Sequence, residues 1–298
     1  MNEIIFSAQN LTKKYGALAA VSDLSFDLLK GQVLGILGPN GSGKTTTLGM
    51  MLGVVRPTKG DLQWSLGESS ASRSRRHIGA LLEKPRFYPW MNAEESLKLT
   101  AMIRGVHRSE IAQALEMVGL WDRRKDLFKN YSLGMKQRLG LASAILGDPD
   151  VLVLDEPTNG IDAAGIADVR HLIIEQRKRG KTILLASHIL DEVEKVCSHV
   201  LVLKQGTLLQ QGSIEEVLKG QTWYELKARD EERLFEVLSQ FPRHEKIEKK
   251  DSYLQFFVSK DVRGEDINQY CYDRGILLSE IKLCRRSLEE HFIEVLKK

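Results

Sequence analysis

The chain has 298 residues, enough for one large domain or two ordinary ones with a substantial core. Forty-three basic residues against 40 acidic ones leave a formal charge of +3, too balanced to argue for or against a nucleic-acid partner. Cys197, Cys271 and Cys284 are widely spaced and lack metal-ligand spacing, so they read as reduced, structural thiols of a cytosolic protein and not as redox chemistry.

Residues 1–10 carry Glu3 and lack a long apolar core, which reads against a signal peptide. No run approaches the roughly 20 apolar residues of a membrane span, so any membrane role is expected to come through a partner. Ile4–Ala8 and Leu24–Leu28 read as short strands joined through Lys13-Lys14-Tyr15-Gly16. Tyr15 is either a hairpin aromatic packed on its own sheet or a flat face on which a purine stacks.

Val33–Leu37 reads as a buried strand that enters Gly38-Pro39-Asn40-Gly41-Ser42-Gly43-Lys44-Thr45-Thr46. This stretch fits the phosphate-loop pattern G-x-x-x-x-G-K-[ST]. Its glycines let successive N–H groups turn toward one polyanion. Lys44 supplies a charge for the β- and γ-phosphates, and the Thr45 hydroxyl supplies a ligand for Mg²⁺. Thr45-Thr46-Thr47-Leu48 opens a helix whose positive end faces the phosphates. A chance glycine-rich turn would lack both the strand before and the helix after. The loop predicts binding of a nucleoside triphosphate.

The loop helix ends near Gly53, and Arg56-Pro57-Thr58-Lys59-Gly60 is a turn. Asp61–Trp64 reads as a strand and Glu68–Arg76 as a solvated basic loop. It has no interleaved aromatics to stack bases against Arg73, Arg75 and Arg76. Ile78-Gly79-Ala80-Leu81-Leu82-Glu83 is a strand ending in a carboxylate, followed by Pro85-Arg86-Phe87-Tyr88-Pro89-Trp90. From Asn92 to about Leu146 the periodicity is helical, as in Leu97, Ala101, Ile111, Leu115 and Val118, which marks a helical insert. Within it Ser132 reads as the N-cap of a helix with Met135, Leu139, Ala142 and Leu146 on one face.

Val151–Leu154 reads as a strand buried on both faces, ending in Asp155-Glu156. Two carboxylates there are costly without a positive partner. In a phosphate-loop protein that partner is Mg²⁺ with its waters. Asp155 is the expected ligand, and Glu156 can orient or deprotonate a water. Asp162 reads as the cap of a helix running through Gln176. A strand Thr182–Leu185 leads to Ala186-Ser187-His188, and His188 sits where open α/β sheets gather ligands. Val200–Leu203 and Thr207–Gln210 read as a hairpin, and Ser213–Glu216 as a capping box opening a helix that ends near Gly220.

From Gln221 the pattern changes. Strand-like Trp223–Ala228, helical Glu231–Gln240, strands Lys246–Glu248 and Tyr253–Val258, helix Glu265–Asp273 and strand Ile276–Ile281 give a ferredoxin-like β-α-β-β-α-β order. Ser287-Leu288-Glu289-Glu290 starts a closing helix with Phe292, Val295 and Leu296 on one side. This stretch carries no catalytic constellation.

Over residues 3–220 these pieces, in this order, resemble the nucleotide-binding subunit of an ATP-binding-cassette transporter. The resemblance identifies Gly38–Thr46 as the Walker A loop and Leu152–Glu156 as Walker B. Ser132-Leu133-Gly134-Met135-Lys136-Gln137 resembles the signature motif, and Asn159-Gly160-Ile161-Asp162 the D-loop. It makes His188 the switch histidine and Tyr15 the adenine-stacking aromatic. Tyr131, Leu133 and Met135 replace the first, third and fifth residues of the usual Leu-Ser-Gly-Gly-Gln, while Ser132 and Gly134 remain. Glu83 stands at the usual Q-loop glutamine; a carboxylate there can still coordinate Mg²⁺ or water but adds negative charge beside ATP.

The resemblance implies an α/β fold: a P-loop NTPase cassette over 1–220 with an antiparallel β subdomain and a helical insert at about 88–146. An accessory ferredoxin-like α+β domain over 221–298 follows, of the kind found on drug- and antibiotic-exporter cassettes. It implies ATP and Mg²⁺ as cofactors, catalytic roles for Lys44, Glu156 and His188, and metal ligation by Thr45, Glu83 and Asp155. It also implies that Ser132, Gly134 and Asp162 meet nucleotide across a head-to-tail dimer with a second copy or a related cassette. The membrane partner would be a separately encoded polytopic permease on the inner face of the cell membrane, with no nucleic acid involved. A soluble cassette ATPase acting on DNA or ribosomes would usually carry a long coiled coil or two cassettes per chain, and a non-hydrolysing regulator would not need intact Lys44, Asp155, Glu156 and His188.

Overall fold

A computed structural model describes residues 3–67, 75–218, 222–259 and 261–297. The chain divides into two compact units, residues 1–217 with 295–298 and residues 218–294.

The first unit is built on a six-stranded sheet in the order β5-β6-β7-β3-β8-β9. Its strands are β3 (Val33–Leu37), β5 (Ile78–Leu81), β6 (Val151–Asp155), β7 (Thr182–Ala186), β8 (His199–Lys204) and β9 (Thr207–Ser213). The pairs from β5 to β8 are parallel, and β8–β9 is an antiparallel hairpin. Every residue of β3, β6 and β7 is buried, as continuous apolar runs require when both faces of a parallel sheet are covered. The order places β3, β6 and β7 side by side, so the loops at their carboxyl ends converge.

A second, three-stranded antiparallel sheet orders β2 (Leu18–Leu29), β1 (Ile4–Tyr15) and β4 (Lys59–Trp64). β1 and β2 have 12 residues each, longer than the short strands expected from the apolar runs alone. The polar stretch Asn10 to Tyr15 stays in β1 because its backbone finds partners in β2 on one side and β4 on the other, with bulges absorbing the irregular pattern. Phe6, Phe26 and Trp64 pack together under it, with Phe6 and Trp64 centroids 4.6 Å apart. The basic loop expected at Glu68–Arg76 falls mostly on residues 68–74, outside the described residues.

The insert between β5 and β6 carries α2 (Ala93–Arg104), α3 (Glu110–Met117) and α4 (Leu133–Ile145), following α1 (Lys44–Met51). Asn92 and Glu95 form a reciprocal capping box at α2, and Gly105 closes it in the left-handed conformation. α4 is more than a one-faced amphipathic helix. Met135 is only half-buried, while Gln137, Gly140, Leu141 and Ala144 join Leu139 and Ala142 in the interior. After β6 come α5 (Ala163–Lys178) and α6 (Leu190–Val196), and α7 (Ile214–Val217) follows β9. The reciprocal Ser213–Glu216 bonds form the expected box, and the helix ends at Val217, short of the end expected near Gly220.

The second unit holds a four-stranded antiparallel sheet in the order β11-β12-β10-β13 with two helices. Its elements are β10 (Thr222–Ala228), α8 (Glu231–Ser239), β11 (His244–Lys249), β12 (Leu254–Val258), α9 (Gly264–Tyr272) and β13 (Leu278–Arg285). This is the ferredoxin-like order, with the first and third strands central. Ile276, expected as the first residue of the last strand, is buried ahead of it; the strand begins at Leu278 and runs to Arg285, where Thr222 of β10 offers it a partner. Tyr224, Leu226, Leu234, Leu254, Phe256 and Ile267 form the core of this unit. α10 (Leu288–Lys297) closes the chain. Among the described residues no helix is long and apolar enough to cross a membrane.

Candidate functional site

The loop between β3 and α1 is a tight curl. Gly41 and Gly43 have φ of 80° and 100°, conformations that glycine adopts without strain. A Cβ on Gly38 would lie 2.5 Å from the Leu203 carbonyl oxygen, and one on Gly43 would lie 2.5 Å from that of Ala20. A Cβ on Gly41 would meet nothing within 4 Å, so the crest of the loop opens outward. Lys44 is buried, and its ammonium donates to the carbonyls of Gly38 at 2.8 Å and Pro39 at 3.4 Å. The hydroxyls of Ser42 and Thr47 are buried without an acceptor or donor among the described residues.

A cleft of about 610 Å³ runs over this loop, bordered by Tyr15, Ala20, Asn40 through Thr46, Glu156 and Gln205. Tyr15 is half exposed at its mouth, with the Lys13 ammonium 4.9 Å from the ring centre. Leu18 to Ala20 and Gln205 are wall residues that no motif signalled. Gly206 joins them to the loop by donating from its N–H to the Ser42 carbonyl.

β6 delivers Asp155 and Glu156 to the same place. Asp155 is buried, and its Oδ1 has no hydrogen-bond partner among the described residues. Burial pushes its carboxyl up from the usual carboxylate range, opposed by a hydrogen bond from Thr45; the Glu156 and Glu83 charges push it further up, against Lys44. A buried carboxylate crowded by two others, beside a hydroxyl, suits a divalent cation. Among the described residues no three His, Cys, Asp and Glu side chains gather as a cage. Magnesium at a nucleotide site is held by one or two side-chain oxygens, with phosphate and water completing its shell. Thr45 and Asp155 fit that group. Glu83, in the left-handed conformation at φ 52° and exposed, acts on Asp155 through its charge.

Glu156 also has a positive φ, 48°, unusual for a residue with a Cβ. Its backbone is held from both sides: its N–H donates to the Ala186 carbonyl at 2.9 Å, and its carbonyl accepts from Gln137 Nε2 at 3.3 Å. Its Oε2 lies 2.7 Å from His188 Nδ1. Lys44, Thr45, Asp155, Glu156 and His188 thus converge from three loops of one sheet. Gln137, the last residue of the signature-like segment, was assigned no site role from sequence; folding brings its amide to the Glu156 carbonyl.

Ser132, Gly134 and Asp162 lie elsewhere. Ser132 caps α4 by accepting from the Met135 N–H at 3.2 Å, and Asp162 caps α5 by accepting from Gly165 at 2.9 Å. They border a second cleft of about 380 Å³ with Leu133, Met135, Arg138 and Gly160, and it shares no residue with the first. The departures from the usual signature have local reasons. Tyr131 is buried and its hydroxyl donates to the Arg123 carbonyl at 2.7 Å. Leu133 packs where a Cβ on Gly160 would be, 2.2 Å from its Cδ2, and Gly160 has φ 74°. Of the aromatic junction, Phe87 packs edge-on to Phe128 at 5.4 Å, while Tyr88 and Trp90 are exposed as a pair 5.1 Å apart.

A family model described as ABC transporter matches residues 21–159. The chain is 36% identical over 297 residues to the uncharacterized ABC transporter ATP-binding protein YhcH of Bacillus subtilis, covering 98% of this chain and 95% of that one. It is likewise 36% identical over 299 residues to the bacitracin transport ATP-binding protein BcrA of Bacillus licheniformis, covering 98% and 97%. A solved structure described as the ATP-binding subunit of an ABC transporter superposes with a TM-score of 0.65 at 28% identity, over 72% of this chain and 92% of that one. With the phosphate loop, the carboxylate pair and these relatives in agreement, the chain belongs to the ABC transporter ATP-binding proteins and is an ATP-hydrolysing subunit of such a transporter.

Proposed function

We propose that this subunit powers an exporter, closing head to tail with a second copy or a related cassette around two ATP. The observation that carries the reading is the separation of the two clefts. One holds the Walker A loop, Asp155, Glu156 and His188; the other holds Ser132, Gly134 and Asp162. Neither is complete by itself, and each offers what the other lacks. In the closed pair the N-terminus of α4 meets the γ-phosphate bound by the other subunit.

Tyr15 stacks the adenine. Gly38, Pro39, Asn40, Gly41, Ser42, Gly43 and Thr46 surround the phosphates, and Lys44 neutralises them. Thr45 and Asp155 would hold Mg²⁺, and Glu83, whose charge acts on Asp155, would add a third oxygen ligand or hold a water. When bound, the cation neutralises charge on phosphate oxygens. Glu156 takes the proton of the water that attacks the γ-phosphorus, and His188 holds that carboxylate in place. Residues 221–298 act as an accessory module and the cassette ends near 220.

The partner is a polytopic permease on the inner face of the cell membrane. The exposed Tyr88–Trp90 pair, beside the helical insert and just after Glu83, suits a short amphipathic helix from it. An antibiotic as the transported class is supported by the relative named for bacitracin transport. The test is complementation between two inactive chains, Lys44→Ala and Ser132→Arg. Their mixed dimer retains one composite site, so hydrolysis should return on mixing. No recovery in a mixture shown to contain mixed dimers would refute the shared site.

A further inference from the structure

The sheet of the second unit ends at β13, whose outer edge has no strand beside it among the described residues. Proteins blunt such an edge by shortness, proline, a bulge or a covering element. β13 has eight residues and no proline, and Ser279 through Leu283 are all exposed. Its one register shift lies at the Leu278 end, leaving Ile281 to Arg285 regular. On the face toward α9, Ile281 stands opposite Leu226 and Leu283 opposite Tyr224. Leu226 and Tyr224 are buried, but Ile281 is 38% and Leu283 50% exposed. The other face alternates in charge: Lys282 pairs with Glu225 at 3.4 Å and Glu280 with Lys227 at 2.6 Å.

We propose that this edge is an isologous interface, β13 pairing antiparallel with β13 of a second copy about a two-fold axis at Ile281. Register arithmetic then places Glu280 opposite Lys282 of the second copy, and Lys282 opposite its Glu280. The existing ion pairs extend into a four-strand row, Glu225–Lys282–Glu280–Lys227, alternating in sign across the axis. On the opposite face the apolar row reads Leu226–Ile281–Ile281–Leu226. Moving the axis by one residue sets Glu280 against Glu280 or Lys282 against Lys282, so the charges select one register. The edge N–H and C=O groups gain partners, and the same patch serves both copies, as a closed two-fold contact requires. This association needs no nucleotide, which separates it from ATP-driven closure of the cassettes.

The test is sedimentation of the full chain without nucleotide. The wild type should show a concentration-dependent dimer, weakened by salt; a chain that stays monomeric would overturn the proposal. Glu280→Lys gives the edge two cations and Lys282→Glu gives it two anions. Each variant alone should self-associate about tenfold more weakly, since both cross-strand pairs become repulsive. An equimolar mixture of the two should regain wild-type association, because each faces its opposite. Loss of stability in either variant cannot produce that recovery, so unaltered self-association or failure to recover on mixing would refute the interface. As an independent reading, Ile281→Cys in a Cys284→Ser chain should form an intermolecular disulfide on mild oxidation. Its absence would equally exclude an axis at this residue.

Discussion

Glu156→Gln tests the hydrolytic centre most directly. The substitution keeps the length and shape of the side chain and leaves the backbone bonds to Ala186 and Gln137 in place, so the left-handed turn at Glu156 should survive. The contact to His188 Nδ1 can also persist, because an amide offers a donor and an acceptor where the carboxylate offered acceptors only. What disappears is the basic oxygen. A positioned general base contributes about 10²- to 10⁴-fold, so turnover should fall by that factor, about 3 to 5 kcal/mol of barrier. Binding should be spared, because in the proposed arrangement Lys44 and the loop N–H groups, not Glu156, hold the phosphates. The assay pairs phosphate release with titration of a fluorescent ATP analogue, and gel filtration with ATP should show a trapped dimer. Undiminished turnover would refute the assignment. A parallel loss of nucleotide affinity would instead show that Glu156 acts on binding.

Asp155→Asn should raise the nucleotide-free melting temperature near pH 7. Burial lifts the folded-state pKa of Asp155 above its unfolded value, so its ionised form costs stability above the folded pKa, and that cost fades as the pH falls toward the unfolded value. The gain should therefore shrink toward about pH 4, and magnesium should cease to strengthen ATP binding; a lower melting temperature at neutral pH would count against a desolvated carboxylate. Removing residues 221–298 should leave ATP affinity intact, since every residue bordering either cleft precedes Val217; loss of binding by a folded truncated chain would show otherwise. Tyr88→Ala with Trp90→Ala should preserve ATP binding but prevent co-sedimentation with vesicles carrying the neighbouring permease, and unchanged co-sedimentation would place the docking surface elsewhere. If the wild type associates with ribosomes or DNA in place of membranes, the exporter reading fails.

Patterns carried by neighbours in sequence were legible without the fold. The phosphate loop announces itself because its glycines, lysine and hydroxyl must be contiguous to wrap one polyanion. The buried runs Val33–Leu37 and Val151–Leu154 name their strands because a parallel strand covered on both faces admits nothing polar. Caps at Ser132, Asp162 and Ser213 were equally local, each closing on an N–H three residues ahead. The same locality explains the ferredoxin-like order of the tail, which follows from alternating periods along the chain.

Tertiary structure alone decided what depends on distant backbone. Whether Asn10 to Tyr15 is strand or connector turned on β2 and β4 supplying hydrogen-bond partners that the polar sequence does not advertise. Gln137 became part of the site only when folding brought α4 under the carbonyl of Glu156, and Gln205 became a wall when β8 settled beside β3. The division of the motif residues into two clefts was likewise decided in space. Ser132 and Asp162 are helix caps wherever they lie, and only the packing of α4 against the loop at Gly160 and Ile161 gathers them away from Lys44. A sequence specifies which groups each segment can offer; where a group is presented depends on loop closure and packing between segments, which no local pattern records.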